Sequence, residues 1–414
     1  MKKSIVRIII MLCAALFLAA CVGQPAYYSE EEDHPPVEEL PIYEEEEEED
    51  DEPEHIEPEP PATDKIAIIT DEWSVHSHWV TEVANRHGHD NVIVYSWPRW
   101  RYGFPCDEAI GTINEIAANP EISVLIINAD YRDINELVDI LRQQRDDIFV
   151  AIVGQINAEI ALQADLILEF DYDAMRRAFP ENARALGADT LVFFYDSFIW
   201  DWDLDEPGEY EETYWHSFMR EASAAAGLAF VEHDIAGAIQ CGSSYGMFMG
   251  ETVPYLLEAH GQDIVLFGLC NERVFWSWLG GGFVYLPLHT WFQPDPIVIA
   301  NELRVRDFFD DGRRSDASIA ELIELIEEAL DEMGQRGRVA SWPMHTQELF
   351  VLAAADYGSR RAHGDASEDG IALGLLLMIM VDLIEEYTGL QGHGVTLTLL
   401  EGNKVLVLPD YLVY

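Results

Sequence analysis

From Lys65 onward the chain carries short apolar runs, too brief for helices, separated by stretches long enough to be helices. The first are KIAIIT (65–70), NVIVYSW (91–97), VLIIN (124–128), FVAIVG (149–154) and ADLILEF (164–170). Their apolarity is nearly continuous where a half-exposed strand would alternate, so both faces must be buried, as parallel sheets require. Helical patterns at 73–87, 107–119 and 134–144 supply the crossovers. The rhythm restarts with DTLVFFYDS (189–197), LAFVEHDI (228–235), DIVLFGLC (263–270) and FVYLPLH (283–289), with helices expected at 214–226, 245–260 and 271–279. A chain of 414 residues exceeds what one small core needs. Two lobes are therefore expected, an N-terminal α/β lobe over 64–188 and a C-terminal α/β lobe over 189–290. A return and crossover segment, 291–414, completes them with a helix at 318–333, a buried apolar helix in 371–387 and a hairpin, VTLTLL against KVLVLP, within 395–414.

The N-terminal region has a different character. Lys2, Lys3 and Arg7 precede an apolar stretch, Ile8 to Ala20, that meets Cys21 in the string Leu-Ala-Ala-Cys. This reads as a lipoprotein signal peptide and lipobox over 1–21, since about 13 apolar residues fall short of the roughly 20 that span a bilayer. Lipidation of Cys21 would hold the chain at the extracytoplasmic face of a cell membrane. Residues 22–63, proline-rich and carrying EEEEEEDDE at 44–52, have too little apolar surface to fold and read as a disordered acidic tether.

Charge excludes one class of partner. The formal net charge is −53, and without signal and tether 59 acids remain against 21 bases, near −38. Nucleic acid binding needs basic stripes, so it is not expected. Beyond Cys13 and Cys21 the chain holds Cys106, Cys241 and Cys270, too few for a disulfide framework, although a Cys241–Cys270 bridge is conceivable.

Several chemistries are weighed against the residues. His76 and His78 are two apart on a helix and diverge, and His87 and His89 lie roughly 16 Å further along, so the four read as surface histidines and no metal is expected. The first strand-to-helix turn, TDEWSVHS, holds no glycine, and no GxxxxGK[ST] string occurs, so no nucleotide cofactor, or any other, is expected. CGSSYG (241–246) resembles a nucleophile elbow only loosely, and carboxylate pairs can be chosen almost at will in so acidic a chain. An enzyme is therefore not expected.

Open α/β sheets hold ligands beyond the carboxyl ends of their strands. Those ends carry Asp71, Glu72, Trp73 and Ser74, then Asn128 and Asp130, then Gln155 and Asn157. The second half adds Asp196, Ser197, Trp200, Ser243, Ser244, Asn271, Glu272 and His289. Aromatic faces among amides, hydroxyls and carboxylates, with no arginine fork, suit a small polar neutral or cationic ligand. Ser74 and Asp196 are equally placed to cap helices.

The lipobox, the tether, the two α/β halves and the return segment resemble the type 1 periplasmic solute-binding proteins. KIAIIT with NVIVYSWPR, the FGLCNE segment, GRVASWP and LVLPDYLVY are similar to an uncharacterised family of bacterial lipoproteins with that fold, distantly similar to basic membrane lipoproteins that bind nucleosides. The resemblance implies two Rossmann-like lobes with open parallel sheets and a cleft between them. It also implies a monomeric extracytoplasmic protein that captures a solute, for an ABC-type transporter and its membrane permease or, alternatively, as a ligand sensor for a signalling receptor. An extracellular hydrolase is the third possibility. The nucleoside-binding group sets an acid against the ribose and rings against the base, a pattern that Trp73 with Asp71 or Glu72 matches loosely, so the ligand is not carried over.

Overall fold

The inner apolar runs form strands buried on both faces, whereas the edge strands at 92–97 and 229–234 are only partly buried. A computed structural model describes residues 65–71, 78–97, 107–128, 134–154, 163–195, 211–234, 244–268, 284–286, 295–303, 318–364, 370–400 and 403–414. The signal, the tether, all five cysteines and the expected helix at 271–279 lie outside them. Among the described residues no helix is long and apolar enough to cross a membrane.

The first sheet has seven strands, β1 (Lys65–Asp71), β2 (Val92–Trp97), β3 (Ile122–Asn128), β4 (Phe149–Val153), β5 (Leu166–Phe170), β10 (Val395–Leu399) and β11 (Lys404–Pro409), in the order β10-β11-β5-β4-β3-β1-β2. All pairings are parallel except the β10–β11 hairpin at one edge. A period of two divides each strand between two cores. Ala67, Ile69, Leu125, Ile127, Val150 and Ile152 pack with the helices α2 (Asp107–Ala118) and α3 (Ile134–Arg142). Ile66, Ile68, Val124, Ile126, Phe149 and Ala151 face the opposite way. There they meet α1 (His78–His87), α9 (Thr346–Ala362) and α10 (Leu373–Thr388).

The second sheet centres on β6 (Thr190–Tyr195), flanked in parallel by β7 (Ala229–Asp234) and β8 (Ile264–Gly268). Bridges from Val265 to Val284 and from Tyr285 to Val339 extend it towards β9 (Ala340–Ser341), which pairs antiparallel with β12 (Leu412–Val413). One face takes α4 (Tyr172–Ala185), where Phe179 meets Phe267 edge-on with centroids 5.1 Å apart. Met219 of α5 (Glu211–Ala225) joins the same core. The other face takes α6 (Ser244–His260), α7 (Pro296–Glu302) and α8 (Ile319–Glu332). Helix α8 begins with a capping box in which Ser318 and Glu321 satisfy each other's backbone N–H groups. The expected class, α/β with open parallel sheets, is thus the observed one.

The chain passes between the sheets three times, from α4 into β6, from β9 into α9, and from β11 into β12. The second and third passages are fastened together. Trp342 stacks on Tyr411 with centroids 4.6 Å apart, Phe170 meets Trp342 edge-on at 5.0 Å, and Ser341 Oγ lies 2.6 Å from the Tyr414 hydroxyl.

Helix α9, for which no amphipathic pattern gives a signal, crosses β3 and β4 and is buried around most of its circumference. Its approach depends on Gly358, where a Cβ would lie 2.8 Å from both the Phe149 and Val124 side chains. Charged side chains pin three helices together beside it. His87 Nε2 lies 2.9 Å from Asp356 Oδ1, and Arg86 donates to Asp356 at 3.3 Å and to Glu386 at 2.7 Å, joining α1, α9 and α10. His87 is therefore not the surface histidine that the helix pattern suggests; its ring is mostly covered, because α9 lies over that end of α1. His89 is exposed as expected.

Gly358→Ala is expected to lower stability by about 1–3 kcal/mol, despite the roughly 1 kcal/mol of helix propensity that alanine adds. Urea denaturation of the two proteins measures the sign; a stabilised variant would mean that the helix and sheet are not in this close contact.

Candidate functional site

Crossover helices decide where an open sheet has room for a ligand. Helix α1, between β1 and β2, lies on one face of the first sheet, whereas α2, between β2 and β3, and α3, between β3 and β4, lie on the other. The strand order therefore reverses between β1 and β3, and the crevice outside the carboxyl ends of those two strands is the position at which such sheets take ligands.

Two polar side chains end the apolar runs there. Thr70 and Asn128 are register partners, so they share the face that α9 covers. They are 0% and 1% exposed. Asn128 Oδ1 accepts a 2.7 Å hydrogen bond from Gln347 Nε2, in the first turn of α9, while Asn128 Nδ2 and Thr70 Oγ1 have no partner among the described residues. Turning the amide over would leave an oxygen orphaned in place of the nitrogen. A buried polar group without a partner costs about 1–3 kcal/mol, and native structures hold few of them.

The passage into α9 adds two more. Trp342 Nε1 and His345 Nδ1 are buried and have no hydrogen-bond partner among the described residues. Burial holds His345 neutral, bringing its pKa down to about 4 against a weaker upward pull from Glu348. Thr70, Asn128 and Gln347 are all uncharged, so this group suits a ligand that offers hydrogen-bonding groups and no strong anion.

Of the residues expected to line a site, Asn128 alone has a described side chain. Asp71 and Ser244 are placed by backbone, at the end of β1 and the start of α6. Glu72, Trp73, Ser74, Asp130, Gln155, Asn157, Asp196, Ser197, Trp200, Ser243, Asn271, Glu272 and His289 lie outside the described residues, as do Cys21 and the Cys241–Cys270 pair. Thr70, Trp342, His345 and Gln347 are not in the expected set. Thr70 sits one residue inside the apolar run, and the other three come from a segment about 220 residues away in sequence, with no local pattern that joins them to β3.

One arrangement has the order of a hydrolytic triad. Ser359 Oγ is 3.5 Å from His87 Nδ1, whose Nε2 meets Asp356. Burial pulls the Asp356 carboxyl upward, but the bond to His87 and the charge of Arg86 outweigh it and hold the group below the usual range. The serine contact is at the limit of a hydrogen bond. Ser359 also lies within α9, where backbone N–H groups are taken up by the helix and none is offered to an oxyanion. These three residues bind α1 to α9. Among the described residues no cluster of three or more His, Cys, Asp or Glu side chains is arranged to hold a metal.

Comparison with known proteins bears on the fold. Residues 64–274 match the family described as "Protein of unknown function (DUF3798)". No curated protein matches the chain. A crystal structure of a "Putative transcriptional regulator" from Clostridium difficile 630 is similar with a TM-score of 0.65 at 17% identity, over 85% of this chain and 99% of that one. A sugar ABC transporter from Actinomyces odontolyticus gives 0.42 at 14% identity, over 74% and 85% of the two chains. The Caulobacter myo-inositol binding protein gives 0.38 at 12%, over 76% and 93%. The first likeness is one of fold; the other two superpose too loosely to carry an argument.

His345 binds no proton in the folded state until about pH 4 but does so near 6.5 when unfolded. Its contribution is complete above pH 6.5 and is lost as pH falls towards 4. His345→Asn, which also offers α9 a capping side chain, is expected to narrow the fall in melting temperature between pH 7 and pH 4 by about 2 °C or more. Parallel melting curves of the two proteins would show no such difference if the ring were protonated in the fold.

Proposed function

The chain belongs to this family, and we propose that it is a solute-binding lipoprotein, anchored through Cys21 at the extracytoplasmic face of the membrane. It takes a small polar ligand at the carboxyl ends of β1 and β3 and passes it to an ABC-type permease without chemical change. The observation that carries this reading is the pair of buried, unpartnered groups, Thr70 Oγ1 and Asn128 Nδ2, at the point where the strand order reverses. A ligand acceptor atom would complete the Asn128 amide, whose orientation Gln347 already fixes. The ligand is neutral or cationic, because the described groups around it carry no positive charge to meet an anion.

The three passages between the sheets supply the means of capture. With Trp342, Tyr411 and Phe170 holding the passages together, the second sheet closes over the first by hinge motion. The lipobox, the 22–63 tether and the acidic surface support an extracytoplasmic position and weigh against a nucleic-acid partner. Trp73, Asp71 and Glu72, directly after Thr70, are proposed as the lip of the site.

Native mass spectrometry of the full chain, purified without denaturation, tests this. A discrete small-molecule adduct is expected, and Asn128→Leu or Gln347→Leu is expected to weaken its binding at least about tenfold, the equivalent of one lost hydrogen bond to a buried group. Turnover of a compound by the purified protein, with no saturable binding in ligand screens, would replace this reading with that of an enzyme.

A further inference from the structure

One edge of the first sheet is uncharged and unprotected. Strand β10 is its outermost strand, and among the described residues only β11 pairs with it. The Leu400 N–H donates to the Lys404 carbonyl, and the Gly394 carbonyl accepts from the Asp410 N–H, so the even-numbered residues turn their backbone groups towards β11. An antiparallel ladder alternates, so Val395, Leu397 and Leu399 turn theirs outward. Edge strands are commonly blunted by a lysine, a proline or a bulge. VTLTL has none of these, and its register with β11 is unbroken.

Helix α10 continues the same edge. It leads through a short loop into β10 and packs on it, so the two run in opposite directions. Leu377 and Met378 then stand about level with the far end of β10, after roughly 16 Å of helix against roughly 13 Å of strand. They are 37% and 45% exposed, and Leu399 and Leu400 are 47% and 43% exposed. Glu386 of α10 bonds Arg86, which also holds Asp356 of α9, and so marks the inner side of the helix. Leu377, about two and a half turns earlier, points the opposite way, to the outside of the sheet. No Asp, Glu, Lys or Arg occurs from Ile371 to Val381 or from Gly394 to Leu400, in a chain with 77 acids among 414 residues.

We propose that this edge is a two-fold interface between two copies of the chain, in which β10 pairs antiparallel with its counterpart and the Leu377 and Met378 faces of the two α10 helices pack together. Charge selects the occupant. Two copies of a chain with a net charge of −53 repel wherever acids meet, so self-association needs a face without them. A basic partner would be drawn to the acids elsewhere. The outward N–H and C=O groups of Val395, Leu397 and Leu399 match those of an identical strand running the other way, and an axis perpendicular to the sheet leaves both α10 helices on one side of it. Four half-exposed side chains fall well short of the roughly 800 Å² that each partner of a stable complex buries, so strand and helix engage together and the dimer is weak. Asp382, exposed a turn beyond Met378, borders the face and makes the contact sensitive to salt. This assembly departs from the monomer that the family resemblance implies.

Sedimentation velocity of the full chain between about 1 and 100 μM tests the proposal. A reversible monomer–dimer equilibrium is expected, at least about tenfold tighter in about 0.5 M salt than in about 0.05 M, because screening removes the repulsion between copies. The double substitution Leu377→Glu with Met378→Glu is expected to weaken it at least about tenfold, and so is Leu399→Pro, which removes an outward N–H. In the wild type, amide exchange at Leu397 and Leu399 is expected to slow as concentration rises, with no change in α2 and α3. A monomer under all these conditions, a dimer that both variants leave unchanged, or exchange at β10 that ignores concentration overturns the proposal. So does a monomer that instead binds neutral phosphatidylcholine vesicles through Leu377 and Met378, which would assign the face to lipid. Should a variant fail to fold, the wild-type exchange profile decides alone. None of these measurements uses a solute, so the dimer and the solute-binding reading fail separately.

Discussion

The contact on which most else depends is that between α9 and the first sheet. Because residue 358 has no side chain, the helix lies against Val124 and Phe149 with no intervening layer, and every other side chain of α9 is placed by that approach. Asp356 and Ser359 come to His87, and Gln347 comes to Asn128. Dense packing makes the arrangement stiff, since a helix in contact over its length cannot move one turn without the rest. The proposed site thus leans on a single rigid element.

The polar groups around α9 are of two kinds, separated by what meets them. Asp356 is surrounded by Arg86 and His87, and its charge is matched at its own position. Asn128 Nδ2, Thr70 Oγ1, Trp342 Nε1 and His345 Nδ1 are matched by nothing among the described residues. The first kind fastens helices together. The second is a standing cost of several hydrogen bonds' worth of desolvation, which is what the proposed ligand would relieve.

Much of this is legible in the amino-acid order. Continuous apolar runs such as VLIIN demand burial on both faces, and with helical lengths between them they leave a parallel open sheet as the solution. Asn128, as the first polar residue after such a run, marks the strand's carboxyl end and hence the ligand edge. Helix α9 is not legible, because a helix buried nearly all round shows no amphipathic stripe to distinguish it from a strand or a loop. The burial of His87 is hidden for the same reason: its cover comes from that helix, about 270 residues on.

Local apolarity, strand polarity and composition can all be read along the chain, and they suffice for the class of the fold, the edge at which a ligand would sit, and the acidic charge of the protein. Which polar groups are left without partners and which passages between the sheets touch are set only in three dimensions. Thr70 meets Asn128 by strand register, and Gln347 meets Asn128 by the close approach at Gly358. Desolvation and hydrogen bonding act over a few ångströms in space, and separation along the chain carries no record of that distance.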